Sequence, residues 1–217
     1  MSQLSFYQTT IGKKVVMAAS GLILVGFVIV HTLGNLQIFL GAQALNDYAE
    51  FLHSKPAVVW GARFVLLGAI FAHFWSGLSL IQRNRAARPK GYAKKVNQRT
   101  NPAALTMKWG GITLLVFIVY HLMHFTIGGG GITLDPNNVY QNVVTGFSNP
   151  LVSGFYVLAQ VFLGLHLYHG VWSMVQTLGL YHPRVSRVKR PASLGIAVLV
   201  AVGNISIPVA VIAKIVQ

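Results

Sequence analysis

The sequence predicts an all-α integral membrane protein built as a bundle of five transmembrane helices. Of 217 residues, 54% are hydrophobic and only 9% charged, with a mean hydropathy of +0.60, whereas soluble domains carry about 25% charged residues. The apolar residues gather in five long stretches, each near the length of about 20 residues that a helix needs to cross a bilayer. The basic residues are confined to short links between these stretches. A net charge of +14 therefore marks a membrane face rather than a nucleic-acid surface, and no nucleic-acid partner is expected.

The expected spans are 15–40, 57–81, 105–127, 151–178 and 192–216, forming one transmembrane domain over residues 1–217. Lys13 and Lys14 precede the first span, whose apolar run is too long for a signal peptide and lacks a clear cleavage site, so the span is expected to be retained. Residues 42–54 place Leu45, Tyr48, Ala49 and Leu52 on one side at helical spacing, which predicts a helix along the outer interface. The second span follows Pro56, the third Pro102 and the fourth Pro150. Between the third and fourth lies a loop, 128–150, that opens on four glycines, contains Asp135-Pro136-Asn137-Asn138, and holds a possible short helix near 139–146.

Thirteen of the seventeen basic residues share one side: Lys13 and Lys14; Arg83, Arg85, Arg88, Lys90, Lys94, Lys95 and Arg99; Arg184, Arg187, Lys189 and Arg190. The other side holds Lys55 and the three acids Asp47, Glu50 and Asp135. By the positive-inside rule the N-terminus is cytoplasmic and the C-terminus external. The chain has no cysteine, so it supplies no thiolate to an iron–sulfur cluster and no covalent attachment for haem.

Four histidines, His31, His73, His121 and His166, each stand inside a different apolar stretch. Ionisable residues within a bilayer are rare and usually functional, and two pairs of neutral imidazoles are what two b haems need as axial ligands to iron. Depth sorts the four. His73 lies 17 residues past Pro56 and His166 lies 16 past Pro150, each about 25 Å from the outer boundary at a rise of about 1.5 Å per residue. His31 lies 18 residues past Lys13 and His121 lies 19 past Pro102, about 27–29 Å from the cytoplasmic boundary by the same rise. One haem is therefore expected between His73 and His166 near the cytoplasm, and another between His31 and His121 near the outside.

A lone intramembrane histidine also serves as a helix-bridging hydrogen bonder or in a proton path. Four at matched depths favour ligation. A metal transporter would add carboxylates, and no span contains Asp or Glu. Gly34, Ala69, Gly77 and Gly170 leave room beside the histidines for a flat macrocycle or simply allow close helix packing, the reading kept for Gly21 and Gly26. His124 and His169 follow His121 and His166 by three residues and point near the same face. They are alternative ligands, propionate hydrogen bonders or polar links, and the secondary roles are preferred.

Gly12-Lys13-Lys14, His31-Thr-Leu-Gly34-Asn35-Leu36, Tyr120-His121-Leu-Met-His124-Phe125 and Leu165-His166-Leu-Tyr-His169-Gly170-Val-Trp172-Ser173 together resemble the cytochrome b subunit of succinate dehydrogenase and fumarate reductase, in its five-helix, two-haem b558 form. The resemblance covers nearly the whole chain. It implies axial ligation by His31, His73, His121 and His166, in the pairing that depth gives. It also implies a complex in the bacterial cytoplasmic membrane: a flavoprotein subunit with FAD, an iron–sulfur subunit, and this chain as their anchor, exchanging electrons with a quinone, menaquinone by resemblance. Residues 83–99 and 184–190 are docking surfaces for those subunits or only fix topology and meet anionic lipid. A quinone site needs proton-handling groups, for which Glu50 is the first candidate, with His53 and Asp47 beside it. Arg63 is a candidate partner for a propionate of the outer haem, or snorkels to the surface.

Overall fold

The computed structural model describes residues 5–87, 90, 102–180 and 182–217, whose regular secondary structure is helical, with no β-strand among them. Arg88, Lys94, Lys95 and Arg99, part of the expected basic loop, lie outside the described residues. After a 3₁₀ turn at Phe6–Gln8 come seven helices: α1 (Thr10–Asn35), α2 (Ala42–His53), α3 (Pro56–Ala86), α4 (Pro102–Leu122), α5 (Val139–Phe147), α6 (Pro150–Thr177) and α7 (Pro183–Ile212). A 3₁₀ segment, Leu36–Leu40, extends α1, and a π-helical turn, Met123–Ile127, extends α4. Five of these units, Thr10–Leu40, Pro56–Ala86, Pro102–Ile127, Pro150–Thr177 and Arg187–Ile212, are long and apolar enough to cross a membrane.

Local chemistry sets the boundaries. The Thr9 hydroxyl accepts from the Gly12 N–H at 2.9 Å to cap α1, and Asn138 and Asn149 cap α5 and α6 in the same way. Pro56 and Pro150 open α3 and α6, where a missing N–H costs nothing because the first-turn donors have no helical acceptor. Gly128 stops the π turn at φ 81°, a left-handed conformation that glycine adopts without strain. Three boundaries move expected basic link residues into helices, one of them the end of α3, which runs through Arg83 and Arg85. Lys13 and Lys14 belong to the first turns of α1, where the Lys13 ammonium lies 4.2 Å from the Tyr7 ring centre. Arg184, Arg187, Lys189 and Arg190 belong to the first turns of α7.

Helix α6 is the hub, packing on α7 and α4, while α1 packs on α3, α6 and α7. The first and last described segments, around Tyr7 and Gln217, lie at opposite ends of the bundle. At one end the Tyr7 hydroxyl meets Ser76 late in α3; at the other the Tyr140 hydroxyl of α5 donates to the Gln217 carbonyl at 3.0 Å. That second end is closed by α2 and α5, linked through Asn46, whose side chain accepts from the Tyr140 N–H at 3.0 Å and donates to Asn138. Beneath them sits the largest buried cluster, with Ile38, Leu45, Phe117, Phe147, Tyr156 and Ile207. Elsewhere the helices turn large apolar groups outward: Phe64 is 68% exposed, Phe71 70% and Leu151 85%. A surface of that kind is matched to hydrocarbon rather than water.

Candidate functional site

Between the helices runs a cavity of about 1670 Å³ lined by α1, α3, α4 and α6, with further residues from α2, α5 and α7. Single-ligand pockets hold about 300–1,000 Å³, so the space exceeds what one such ligand fills. His31, His73, His121 and His166 all line it. The four principal helices stand around it in the order α3, α1, α6, α4, which makes α3/α6 and α1/α4 the two diagonals. One histidine pair spans each diagonal: the His73 and His166 ring centres are 6.1 Å apart, and those of His31 and His121 5.8 Å.

This spacing has chemical meaning. A metal–imidazole bond of about 2.0–2.1 Å, as for zinc, places the ring centres of two imidazoles on opposite sides of one ion about 6 Å apart. Among the described residues no group of three or more His, Cys, Asp or Glu side chains converges. Each pair therefore has the spacing that two imidazoles on opposite sides of one metal ion would need, the arrangement in which proteins hold a bis-histidine haem iron.

Around His73 the framework is the backbone. Its Nδ1–H donates to the Met17 carbonyl of α1 at 3.0 Å, with the Ser20 hydroxyl 3.4 Å away. A histidine that donates through one nitrogen keeps the other free for a metal and has its ring orientation fixed. Gly21, read from the sequence as a packing glycine, has this as its reason: a Cβ there would stand 3.2 Å from the His73 ring. On the facing helix, His166 Nδ1 is buried without a partner.

Aromatic side chains wall the other pair. His31 stacks on Phe27 with ring centres 5.3 Å apart, and His121 on Phe117 at 5.7 Å. Asn35 Nδ2 lies 3.1 Å from His31 Nε2 and donates to it, so metal binding through that nitrogen requires the amide to turn aside. Tyr156 brings its hydroxyl within 3.4 Å of His121 Nδ1 and 2.9 Å of His124 Nδ1.

The remaining candidates divide. His124 is 1% exposed and turned out of the cavity into a cluster with Tyr120, Phe125, Phe147 and Tyr156. His169 lines the cavity beside Trp172, and its Nδ1 is buried without a partner. Arg63 also lines the cavity, its guanidinium 4.7 Å from the Trp60 ring centre. Asp47, Glu50 and His53 are exposed and do not line the cavity. Helix α2 turns Leu45, Tyr48, Ala49 and Leu52 toward it instead; the amphipathic pattern that buries these four necessarily carries the polar residues to the far side. Gly77 and Gly170 border the cavity, whereas the room at Gly34 is filled by Tyr48, which a Cβ would meet at 2.7 Å.

The sequence reading missed Tyr156 and a polar node at mid-bundle. There Asn204 of α7 donates to the Thr32 hydroxyl at 3.1 Å and the Gln160 carbonyl at 3.3 Å. The signal was present: Tyr156 and Gln160 are one turn apart in an otherwise apolar span, and Asn204 is an amide in another.

Among proteins of known role, the chain is similar to the succinate dehydrogenase cytochrome b558 subunit of Bacillus subtilis (strain 168). Identity is 26% over 179 residues, which cover 80% of this chain and 83% of the relative. No protein-family model matches the chain, and no solved structure matches it. The protein is an all-helical, multi-pass membrane protein that is similar over most of its length to a succinate dehydrogenase cytochrome b558 subunit, the family its sequence resembles.

Proposed function

We propose that this chain is the membrane-anchor cytochrome b subunit of a succinate:quinone oxidoreductase, holding one b haem between His73 and His166 and a second between His31 and His121. The observation that carries the reading is the pair of diagonal imidazole contacts, at 6.1 and 5.8 Å, facing one large apolar cavity. Haem iron supplies a one-electron couple when bound. The chain's own part is to present neutral imidazoles, to fix their rings and to exclude water. Gly21 and the Met17 carbonyl support this at one site, and Phe27, Phe117 and Tyr156 at the other.

Charge asymmetry supports a cytoplasmic N-terminus in a bacterial cytoplasmic membrane. The His73/His166 site then faces the cytoplasm, where a flavoprotein with FAD and an iron–sulfur subunit dock. The His31/His121 site lies toward the outside, and electrons pass between the two and a membrane quinone, menaquinone in the family that the chain resembles. Arg63 and His169 both line the cavity wall, and in this reading they are the candidate partners for haem propionates. Glu50, Asp47 and His53 can serve a quinone only from the outer surface of α2, by passing protons rather than by touching it.

The test is a reduced-minus-oxidised spectrum of the complex purified through this subunit. Expected is a bis-histidine b-type signal from two haems, with flavoprotein and iron–sulfur subunits copurifying and succinate-dependent quinone reduction. A preparation that contains the folded chain but no b-type signal would sink the reading.

A further inference from the structure

The π turn at Met123–Ile127 and the buried His124 within it play no part in the proposed ligation, yet both are tightly built. His124 is sheathed so closely that a Cβ at Gly130 would meet its backbone and ring at 2.9 Å, and a Cβ at Gly146 would meet its ring at 3.1 Å. Its Nε2 has no hydrogen-bond partner. An aliphatic side chain would fill the site without that orphaned polar atom, so packing alone does not account for a histidine here. Its one bond is to the Tyr156 hydroxyl at 2.9 Å, and the same hydroxyl reaches His121 Nδ1 at 3.4 Å.

We infer that Tyr156 and His124 form a two-member relay that positions His121 as an axial ligand and sets how strongly it donates to the metal; the inference rests on the haem reading above. The proton bookkeeping has one solution. If His121 gives Nε2 to iron, Nδ1 carries the proton and must donate it. The Tyr156 oxygen accepts that hydrogen bond, so the single phenolic proton points to His124 Nδ1 at the shorter distance, and His124 keeps its proton on Nε2. The chain His121 Nδ1–H to Tyr156 Oη–H to His124 Nδ1 is polarised in one direction, and each link strengthens the next. Greater electron density on His121 favours oxidised iron at that site. The partner of His73 is a backbone carbonyl, so this adjustable relay belongs to the His31/His121 site.

The decisive experiment is a potentiometric titration, with low-spin EPR, of the purified complex carrying Tyr156→Phe, which removes the hydroxyl and keeps the ring. The expected result is both haems retained, the His31/His121 haem easier to reduce by about 3- to 10-fold in its reduced-to-oxidised ratio at fixed potential (59 mV for tenfold in a one-electron couple), an altered EPR signal for that haem, and the His73/His166 haem unchanged. His124→Phe, which removes the acceptor at the far end, should move the same haem in the same direction by less, and it tests the idea if the first variant does not assemble. Two retained haems with unshifted potentials and spectra in both variants would overturn the relay while leaving the ligation intact. Absence of any b-type signal from the unmodified complex would instead remove the reading on which the relay stands.

Discussion

The two histidine pairs offer the same donors to the same cavity and are held by different means. His73 is oriented by a main-chain carbonyl and a glycine, features that side-chain substitution on α1 leaves in place or obstructs only by bulk. The His31/His121 pair is oriented by side chains: Phe27, Phe117 and Tyr156. A ring framed by backbone resists drift, whereas a pair framed by side chains can be retuned one residue at a time. If the pairs are two electron-transfer stations, one has a ligand fixed by architecture and the other is adjustable.

The largest effect that can break this comparison is loss of a ligand. His73→Ala or His166→Ala should remove one haem, and His31→Ala or His121→Ala the other, each leaving roughly half of the b-type absorbance of a two-haem subunit. Loss of the same spectral component from the His31 and His73 variants would refute the pairing. Next comes Gly21→Val, whose branched side chain would collide with the His73 ring and lower retention of that haem by roughly tenfold or more, the scale of overpacking in a tight site. Gly26→Val serves as its control, because nothing stands within 4 Å of a Cβ at Gly26. Equal haem loss from both would show that Gly21 matters only for helix packing.

At the other site Gly34→Leu would push against Tyr48 and loosen the α2 cover. A loss of about 1–3 kcal/mol should appear in thermal unfolding monitored by haem release, with the His31/His121 component leaving first. The smallest effect belongs to the node between the sites. Asn204→Ala should cost about 0.6 kcal/mol, the average for polar contacts between membrane helices, and shift neither haem spectrum. A spectral change would mean that the node touches one of the sites.

The five-helix plan was legible because the bilayer imposes a length on each apolar run and the charges mark its ends. The facing of His73 with His166 and of His31 with His121 followed from counting rise along antiparallel spans. Helix ends were less visible: α7 starts at Pro183, a residue suited to a first turn, and continues through Pro191 in its third turn, so the basic residues read as a link are helical. The surroundings of each histidine were hidden for a different reason. Gly21 against His73, Tyr48 against Gly34 and Tyr156 beside His121 are contacts between helices, set by rotation about the helix axes, and periodicity within one segment does not specify that rotation. Glu50 shows the converse limit, since the amphipathic pattern that identified α2 also implied that its acids face away from the bundle.

The arrangement of helices around the cavity bears on how the protein is made. Helix α3 leans on α1 and touches α2, and it stands across open space from α4 and α6. Iron bound between His73 and His166 would brace α3 to the hub, and iron between His31 and His121 would brace α1 to α4. A ligand that binds only the folded bundle adds its binding free energy to the stability of that bundle. Haem supply would then govern not only electron flow but whether the anchor survives quality control long enough to receive its partners.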